Sequence, residues 1–159
     1  GVVGVLATQQ TVQSEGVAHL IERFGQGAQI LLQPCPGWVE QVEKGELDSA
    51  LTQELLRSHT RPLIQAGADV WVLGCTHFPF LAAGLRQIAG PGVQLIDPAD
   101  AVARELSRRL NEHPGWVSEV TAGAVASPGA DYFFTTGDVA QTSAVIGQLW
   151  GRPVHVDSL

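Results

Sequence analysis

The chain has no methionine, a single tyrosine and only two cysteines, Cys35 and Cys75, among its 159 residues. Two cysteines are too few for the disulfide framework of a small secreted domain, so a reducing, cytoplasmic compartment is expected. Basic residues are also scarce, with 9 Lys and Arg against 16 Asp and Glu and a net charge of −7. This balance argues against a nucleic-acid partner, because such surfaces carry clustered Lys and Arg. No apolar run approaches the roughly 20 residues of a membrane span, and residues 1–7 lack the basic flank of a signal peptide, so no membrane partner is expected.

Four short apolar segments alternate with helical patterns through the first two thirds of the chain. The predicted strands cover residues 2–7, 29–32, 70–73 and 93–96. Strands and helices that alternate in this way are typical of an α/β fold, here with a parallel four-stranded sheet flanked by helices. Between the strands, Thr11 is predicted to cap a helix of about 12 residues. Pro62 is expected to kink or break the helix that starts near Asp48.

The pattern changes after Asp97. A helix is predicted over residues 99–110 and an irregular polar stretch over 111–129, followed by a strand, a helix and a last strand over 132–135, 139–150 and 153–156. Two strands are marginal as an independent sheet, so their partners are expected elsewhere. The sequence therefore predicts an α/β domain over residues 1–96 and a separate segment over residues 97–159.

Chemically active side chains follow the predicted strands. Parallel strands end at one edge of a sheet, and ligands of open α/β sheets bind beyond the carboxyl ends of the strands. The turns at that edge hold Thr8, Thr11, Cys35, Cys75, Thr76, His77 and Asp97. A thiol, a hydroxyl and an imidazole in consecutive positions make residues 75–77 the main candidate for proton-transfer chemistry.

Cys75 lies between a predicted strand and a predicted helix, where backbone N–H groups and the helix dipole favour a thiolate. Such a thiolate can act as a nucleophile with His77 as its base, or as a general base that removes a proton from carbon. The structural alternative is a cysteine that only fills space in the core. A metal site at Cys75 and His77 is not expected, because no further ligands stand at a recognisable spacing. The pair Gly1-x-x-Gly4 lies inside a strand, which indicates close packing rather than a phosphate loop.

Five segments resemble those of the glutamate racemases, within the aspartate/glutamate racemase superfamily. The most specific is Leu73-Gly-Cys-Thr-His-Phe-Pro-Phe-Leu81, which is similar to the family's second cysteine motif. The others are residues 4–14, 35–45, 93–97 and 132–138, and all five stand in the family's order along essentially the whole chain. The resemblance implies a cofactor-independent interconversion of L- and D-glutamate that supplies D-glutamate for peptidoglycan. It also implies two α/β domains that face each other across the substrate and contribute one cysteine each.

The resemblance assigns roles to individual residues. Cys75 corresponds to the second-domain cysteine, the base that acts on the L-enantiomer, and His77 to the residue that assists this thiol. Thr76, Thr8 and Thr11 correspond to substrate-binding residues.

Two further residues receive supporting roles from the resemblance. Glu43 corresponds to a carboxylate near the pocket that acts on the histidine, and the alternative is a solvated charge at a helix end. Cys35 matches a Cys-Pro segment that is not catalytic in the family, so it is expected to be structural. Thr11 retains the alternative of acting only as a helix cap.

The chain also departs from the family pattern. Gln9-Gln10 replaces a small or Gly-rich pair, and Pro98 replaces a serine. The family's first domain, with the other cysteine, has no counterpart. The chain is therefore expected to be the carboxyl-terminal half of a racemase, with residues 97–159 returning to complete that first domain.

The implied partners are glutamate as a small-molecule substrate and the missing amino-terminal domain, and a homodimer is among the assemblies that the resemblance allows. The competing interpretations are a racemase of the same superfamily that acts on aspartate or a hydantoin, and a non-catalytic racemase-like binding module.

Overall fold

The computed structural model describes residues 1–116 and 131–159. The chain divides into two compact units, Gly1–Pro98 and Ala99–Leu159. In chain order, the first unit contains β1 (Val2–Ala7), α1 (Gln9–Val12), α2 (Glu15–Phe24), β2 (Gln29–Pro34), α3 (Trp38–Glu43), α4 (Ala50–Gln65), β3 (Val70–Leu73), a 3-10 turn (Phe78–Leu81), α5 (Ala82–Ala89) and β4 (Gln94–Ile96).

The strands of the first unit form one parallel sheet in the order β2-β1-β3-β4. Leu6 on β1 and Trp71 and Leu73 on β3 are buried, as expected for the inner strands of a parallel sheet covered on both faces. The predicted α/β fold with a parallel four-stranded sheet is confirmed. Strands β1 and β3 have the predicted bounds, whereas β2 continues to Pro34 and β4 begins one residue later, at Gln94.

Gly4 marks the point where a helix packs most closely on the sheet. A Cβ at this position would lie 2.5 Å from Cδ1 of Leu63, a buried residue of α4. Real Cβ atoms do not approach another carbon so closely, so any side chain here would force the buried Leu63 or α4 to shift. The prediction that Gly4 serves close packing is confirmed.

Two helices replace the single helix predicted after β1. The Thr8 side chain accepts a hydrogen bond from the backbone N–H of Thr11, and α1 ends after 4 residues. Ser14 then caps α2 by accepting a hydrogen bond from the N–H of Val17. The prediction that Thr11 caps one long helix is therefore wrong, because hydroxyls at two other positions each satisfy the free N–H group of a helix start.

Helix α4 runs from Ala50 to Gln65 without a break, although it contains Pro62. Proline removes one backbone donor, but Pro62 lies in the last turn, where its own carbonyl accepts a hydrogen bond from the N–H of Ala66 at 3.0 Å. A break is thus avoided, because only one intrahelical bond near the end of the helix is lost.

The second unit contains α6 (Ala99–Glu112), a 3-10 turn (Pro114–Trp116), β5 (Phe133–Thr135), α7 (Val139–Trp150) and β6 (Val156–Ser158). The two strands pair in parallel, with Phe133 opposite Val156. The last strand therefore begins where the predicted strand, residues 153–156, ends. Of the stretch predicted to be irregular, residues 111–129, the part from 117 onward lies outside the described residues.

Several large apolar side chains of the second unit are exposed. They are Val102, Leu106, Trp116, Tyr132, Phe134, Val139, Trp150 and Leu159. No helix in the described ranges, 1–116 and 131–159, combines the length and the apolar character needed to cross a membrane.

Candidate active site

Cys75 stands immediately beyond the carboxyl end of β3, after Gly74. The N–H of Gly74 donates a hydrogen bond to the carbonyl of Leu6 at 2.7 Å. A Cβ on Gly74 would lie 3.2 Å from the Cβ of Ala7, so a larger residue would push the ends of β1 and β3 apart. This close approach brings Cys75 next to the turn that begins at Thr8, at the edge of the sheet where ligands of α/β folds bind.

Cys75, His77 and Glu43 form a continuous chain of polar contacts. The Sγ of Cys75 lies 3.9 Å from Nδ1 of His77, and Nε2 of the same ring lies 2.6 Å from Oε1 of Glu43. Cys75 and His77 are partly exposed, and Glu43 is exposed at the end of α3. The three residues thus border solvent rather than the core, as a site that receives a small molecule requires.

The order of these contacts determines which atom can take up a proton. An ionised carboxylate only accepts hydrogen bonds, so Nε2 of His77 carries the hydrogen that it donates to Glu43. Nδ1 is then free to accept a proton from the thiol, and the Glu43 carboxylate stabilises the imidazolium that results. The arrangement can therefore generate a thiolate at Cys75, which is the reactive form of cysteine.

Thr8 and Thr11 lie together in the neighbouring turn. Their Oγ1 atoms are 2.8 Å apart, and Thr8 Oγ1 also accepts a hydrogen bond from the N–H of Thr11 at 3.3 Å. Ser14 adds a third hydroxyl, whose Oγ donates to the carbonyl of Thr11 at 2.8 Å. Ser14 is not among the residues predicted at the site, although hydroxyl residues at every third position from 8 to 14 are a signal that could have identified it.

Thr76 and Asp97, the remaining residues predicted at this edge, are both exposed. Asp97 follows β4, whose Ile96 pairs with Val72 of β3. The described residues, 1–116 and 131–159, contain no group of three or more His, Cys, Asp or Glu side chains arranged to hold a metal ion.

Cys35 follows β2 and, unlike the partly exposed Cys75, lies in the core. It is buried, its N–H donates to the carbonyl of Ala7 at 2.9 Å, and its thiol donates to the carbonyl of Gln33 at 3.4 Å. Burial raises the pKa of the Cys35 thiol to about 12. A thiol of this kind remains protonated and unreactive at neutral pH.

The family model of the Asp/Glu/hydantoin racemases matches residues 1–106, a range that includes every residue of the site. The chain belongs to this family. Two curated members are similar over nearly the whole chain. The glutamate racemase of Methylococcus capsulatus is 42% identical over 149 residues, which are 94% of this chain and 53% of that protein. The glutamate racemase of Pseudomonas putida is 40% identical over 158 residues, 99% of this chain and 57% of that protein.

Solved structures of the family have the same fold. A glutamate racemase isoform from Bacillus anthracis superposes with a TM-score of 0.79 at 26% identity, over 99% of this chain and 57% of that one. The Escherichia coli glutamate racemase, solved in complex with L-glutamate and the activator UDP-MurNAc-ala, gives a TM-score of 0.75 at 29% identity, over 100% of this chain and 58% of that one. The chain thus spans about half the length of the curated relatives it matches.

Proposed function

We propose that this chain is the carboxyl-terminal half of a glutamate racemase and carries one of its two catalytic cysteines. The observation that carries the proposal is the contact chain from Cys75 through His77 to Glu43 at the carboxyl ends of parallel strands. Relatives that share about 40% identity over most of the chain are named glutamate racemases, and one solved family member binds L-glutamate.

In the proposed reaction, L- and D-glutamate are interconverted without a cofactor. The Cys75 thiolate removes the α-proton of the L-enantiomer, and a cysteine from the other half of the protein delivers a proton to the opposite face. His77 accepts the thiol proton of Cys75, and Glu43 stabilises the charged imidazole, as their hydrogen-bonding order supports.

The hydroxyls at this edge of the sheet are proposed to hold the substrate. Thr76, Thr8 and Thr11 would donate hydrogen bonds to its carboxylates, which suits hydroxyl groups that can rotate toward an acceptor.

The product D-glutamate would serve peptidoglycan synthesis. Two free cysteines fit a reducing cytoplasm.

The segment from 97 to 159 is proposed to complete the domain that carries the other cysteine. Its two-stranded sheet is short, and its exposed apolar residues include Phe134 on β5 and Trp150 on α7. A sheet of two strands is marginal by itself, and exposed apolar surface of this kind favours association. These features support the proposal that further strands join this sheet in the complete protein.

A fusion protein tests the proposal directly. The amino-terminal half of the Methylococcus capsulatus relative would be joined to residues 1–159, and circular dichroism would follow the conversion of L-glutamate. We expect sustained racemisation by the fusion and none by residues 1–159 alone, because acid and base must stand on opposite faces of one carbon. Cys75→Ala in the fusion should lower turnover by at least about 10²-fold, the lower range for loss of a general base.

The controls separate the catalytic thiol from the fold. Cys35→Ala should leave turnover within roughly tenfold, since that thiol only packs in the core. Deuterium exchange at the α-carbon of D-glutamate should survive in the Cys75→Ala fusion, because the other cysteine acts on that enantiomer. Near-normal turnover in a folded Cys75→Ala fusion would disprove the assigned role, and racemisation by residues 1–159 alone would disprove the two-domain mechanism.

The family description also names aspartate and hydantoins. The same fusion assay with these substrates tests the alternative specificity. A fusion that turns over aspartate or a hydantoin faster than glutamate would favour that alternative, and a correctly folded fusion that turns over none of them would favour a non-catalytic binding module.

A further inference from the structure

The contact between Glu43 and His77 lies at the surface. The side chain of Glu43 is 66% exposed and that of His77 is 30% exposed, yet the two approach to 2.6 Å. Exposed ion pairs contribute little by themselves, because ordering two flexible side chains opposes the attraction. The distance therefore depends on how firmly the backbone of α3 is held against the turn that contains His77.

A buried aromatic contact joins these two backbones. Trp38 opens α3, the six-residue helix that ends at Glu43, and Phe78 directly follows His77. The rings of Trp38 and Phe78 lie 4.8 Å apart between centroids and are tilted by 60°. Both side chains are fully buried. Aromatic rings packed in this way have a preferred geometry and restrict relative movement of the segments that carry them.

A second ring also lies near Trp38. His59 of α4 lies 6.0 Å away, ring centroid to ring centroid, and burial lowers the pKa of His59, so this ring packs as a neutral group. Gly37, with a φ of 85°, turns the chain into α3 in a conformation that other residues rarely adopt. The start of α3 thus lies against both α4 and the 3-10 turn.

We infer that Trp38 is a positioning residue for the site: its packing on Phe78 sets the distance between Glu43 and His77 and so controls the reactivity of the Cys75 thiol. The importance of this control for racemisation rests on the proposed function, whereas the effect on the thiol does not. Because Trp38 is fully buried, it acts on the site through Glu43 rather than by contact with a ligand.

The rate of alkylation of Cys75 by iodoacetamide measures this effect on residues 1–159 as they are. Mass spectrometry of the Cys75 peptide separates this thiol from buried Cys35. Replacing the carboxylate, Glu43→Gln, should slow alkylation about two- to fivefold, the range expected for an exposed charge interaction. Trp38→Leu should slow it by a similar factor, because α3 then loses its aromatic contact with Phe78.

A double-mutant cycle distinguishes positioning from general loosening of the fold. If Trp38 acts through Glu43, then Trp38→Leu should slow alkylation no further in a Glu43→Gln chain. Trp38→Phe, which keeps a ring against Phe78, should restore the wild-type rate within about twofold. Leu63→Ala, a buried replacement on α4 with no part in the site, serves as the matched control and should leave the rate unchanged in the folded chain.

Three results would overturn the inference: an unchanged rate in Trp38→Leu, equal slowing by Leu63→Ala, or additive effects of the two substitutions at positions 38 and 43. The fusion assay supplies an independent outcome. Coupled alkylation rates in a fusion that does not racemise glutamate would support the positioning role and refute the proposed reaction. Racemisation with uncoupled alkylation rates would refute only the positioning role.

Discussion

Replacing Cys35 with alanine should have a small effect on stability at neutral pH and a larger effect on how stability changes with pH. Cys35 is only 2% exposed and its thiol donates to the carbonyl of Gln33. Burial raises the pKa of this thiol to about 12, and the charge of Cys75 adds a smaller effect in the same direction. The folded chain therefore keeps a proton that the unfolded chain releases as the solution becomes alkaline.

The direction and the size of this pH effect follow from the pKa of the Cys35 thiol in the folded chain and in the unfolded chain. A thiol in the unfolded chain titrates at about pH 8.5, so the stability conferred by the neutral thiol is complete below this pH. It is lost as the pH rises toward the folded value, at about 1.4 kcal/mol per pH unit. Between pH 7 and pH 10 the free energy of unfolding should fall by about 2 kcal/mol through Cys35 alone.

Cys35→Ala removes this dependence at a small packing penalty. At pH 7 the variant should be less stable by about 1 kcal/mol, because a small buried group is lost. At pH 10 the Cys35→Ala variant should be the more stable of the two chains. Only the chain with Cys35 loses stability when this thiol ionises in the unfolded state. Urea unfolding followed by circular dichroism at both pH values measures the four free energies.

The measurement is best made in a Cys75→Ser chain, which removes the second thiol. The free energies of unfolding of this chain with and without the further Cys35→Ala substitution then differ only because of residue 35. If this difference is the same at pH 7 and pH 10, the reasoning is refuted, because the thiol would then titrate alike in the folded and unfolded states.

Three further outcomes are expected from the packing and the caps. Gly4→Ala should lower the free energy of unfolding by about 1–3 kcal/mol, because its Cβ would meet Leu63 at 2.5 Å. This loss should be partly relieved in a Leu63→Ala chain. If the free energies from urea unfolding are instead additive for the two substitutions, the predicted clash is contradicted. Ser49→Ala should destabilise α4 by about 1 kcal/mol, since Ser49 accepts a hydrogen bond from the N–H of Thr52 at 3.2 Å; an unchanged urea midpoint would exclude this cap as a stabilising contact. Residues 1–159 should self-associate through exposed apolar residues of the second unit such as Phe134, and a monomer at high concentration in sedimentation equilibrium would argue against this.

The helix boundaries show where sequence reasoning reaches its limit. Thr11 is a suitable cap by residue type, but so are Thr8 and Ser14, and the structure uses those two. Propensity cannot choose among three hydroxyl residues that could each accept a hydrogen bond from a free N–H group at the same spacing. The missing donor of Pro62 alone predicts a kink or a break, whereas its position in the last turn of α4 decides that the helix continues.

The sequence by itself determined the parallel sheet and the location of Cys75. An apolar run from Val70 to Leu73, bounded by Gly74, encodes a buried strand and its end locally, and topology then brings the turns after the strands to one edge. The family resemblance associated Glu43 with the histidine, but only the tertiary structure shows that Glu43 contacts His77, 34 residues away along the chain. It also decided that Trp38 packs on Phe78. Both contacts join α3 to a distant turn, so they depend on how helices pack across the sheet, and no local pattern of residues specifies that packing.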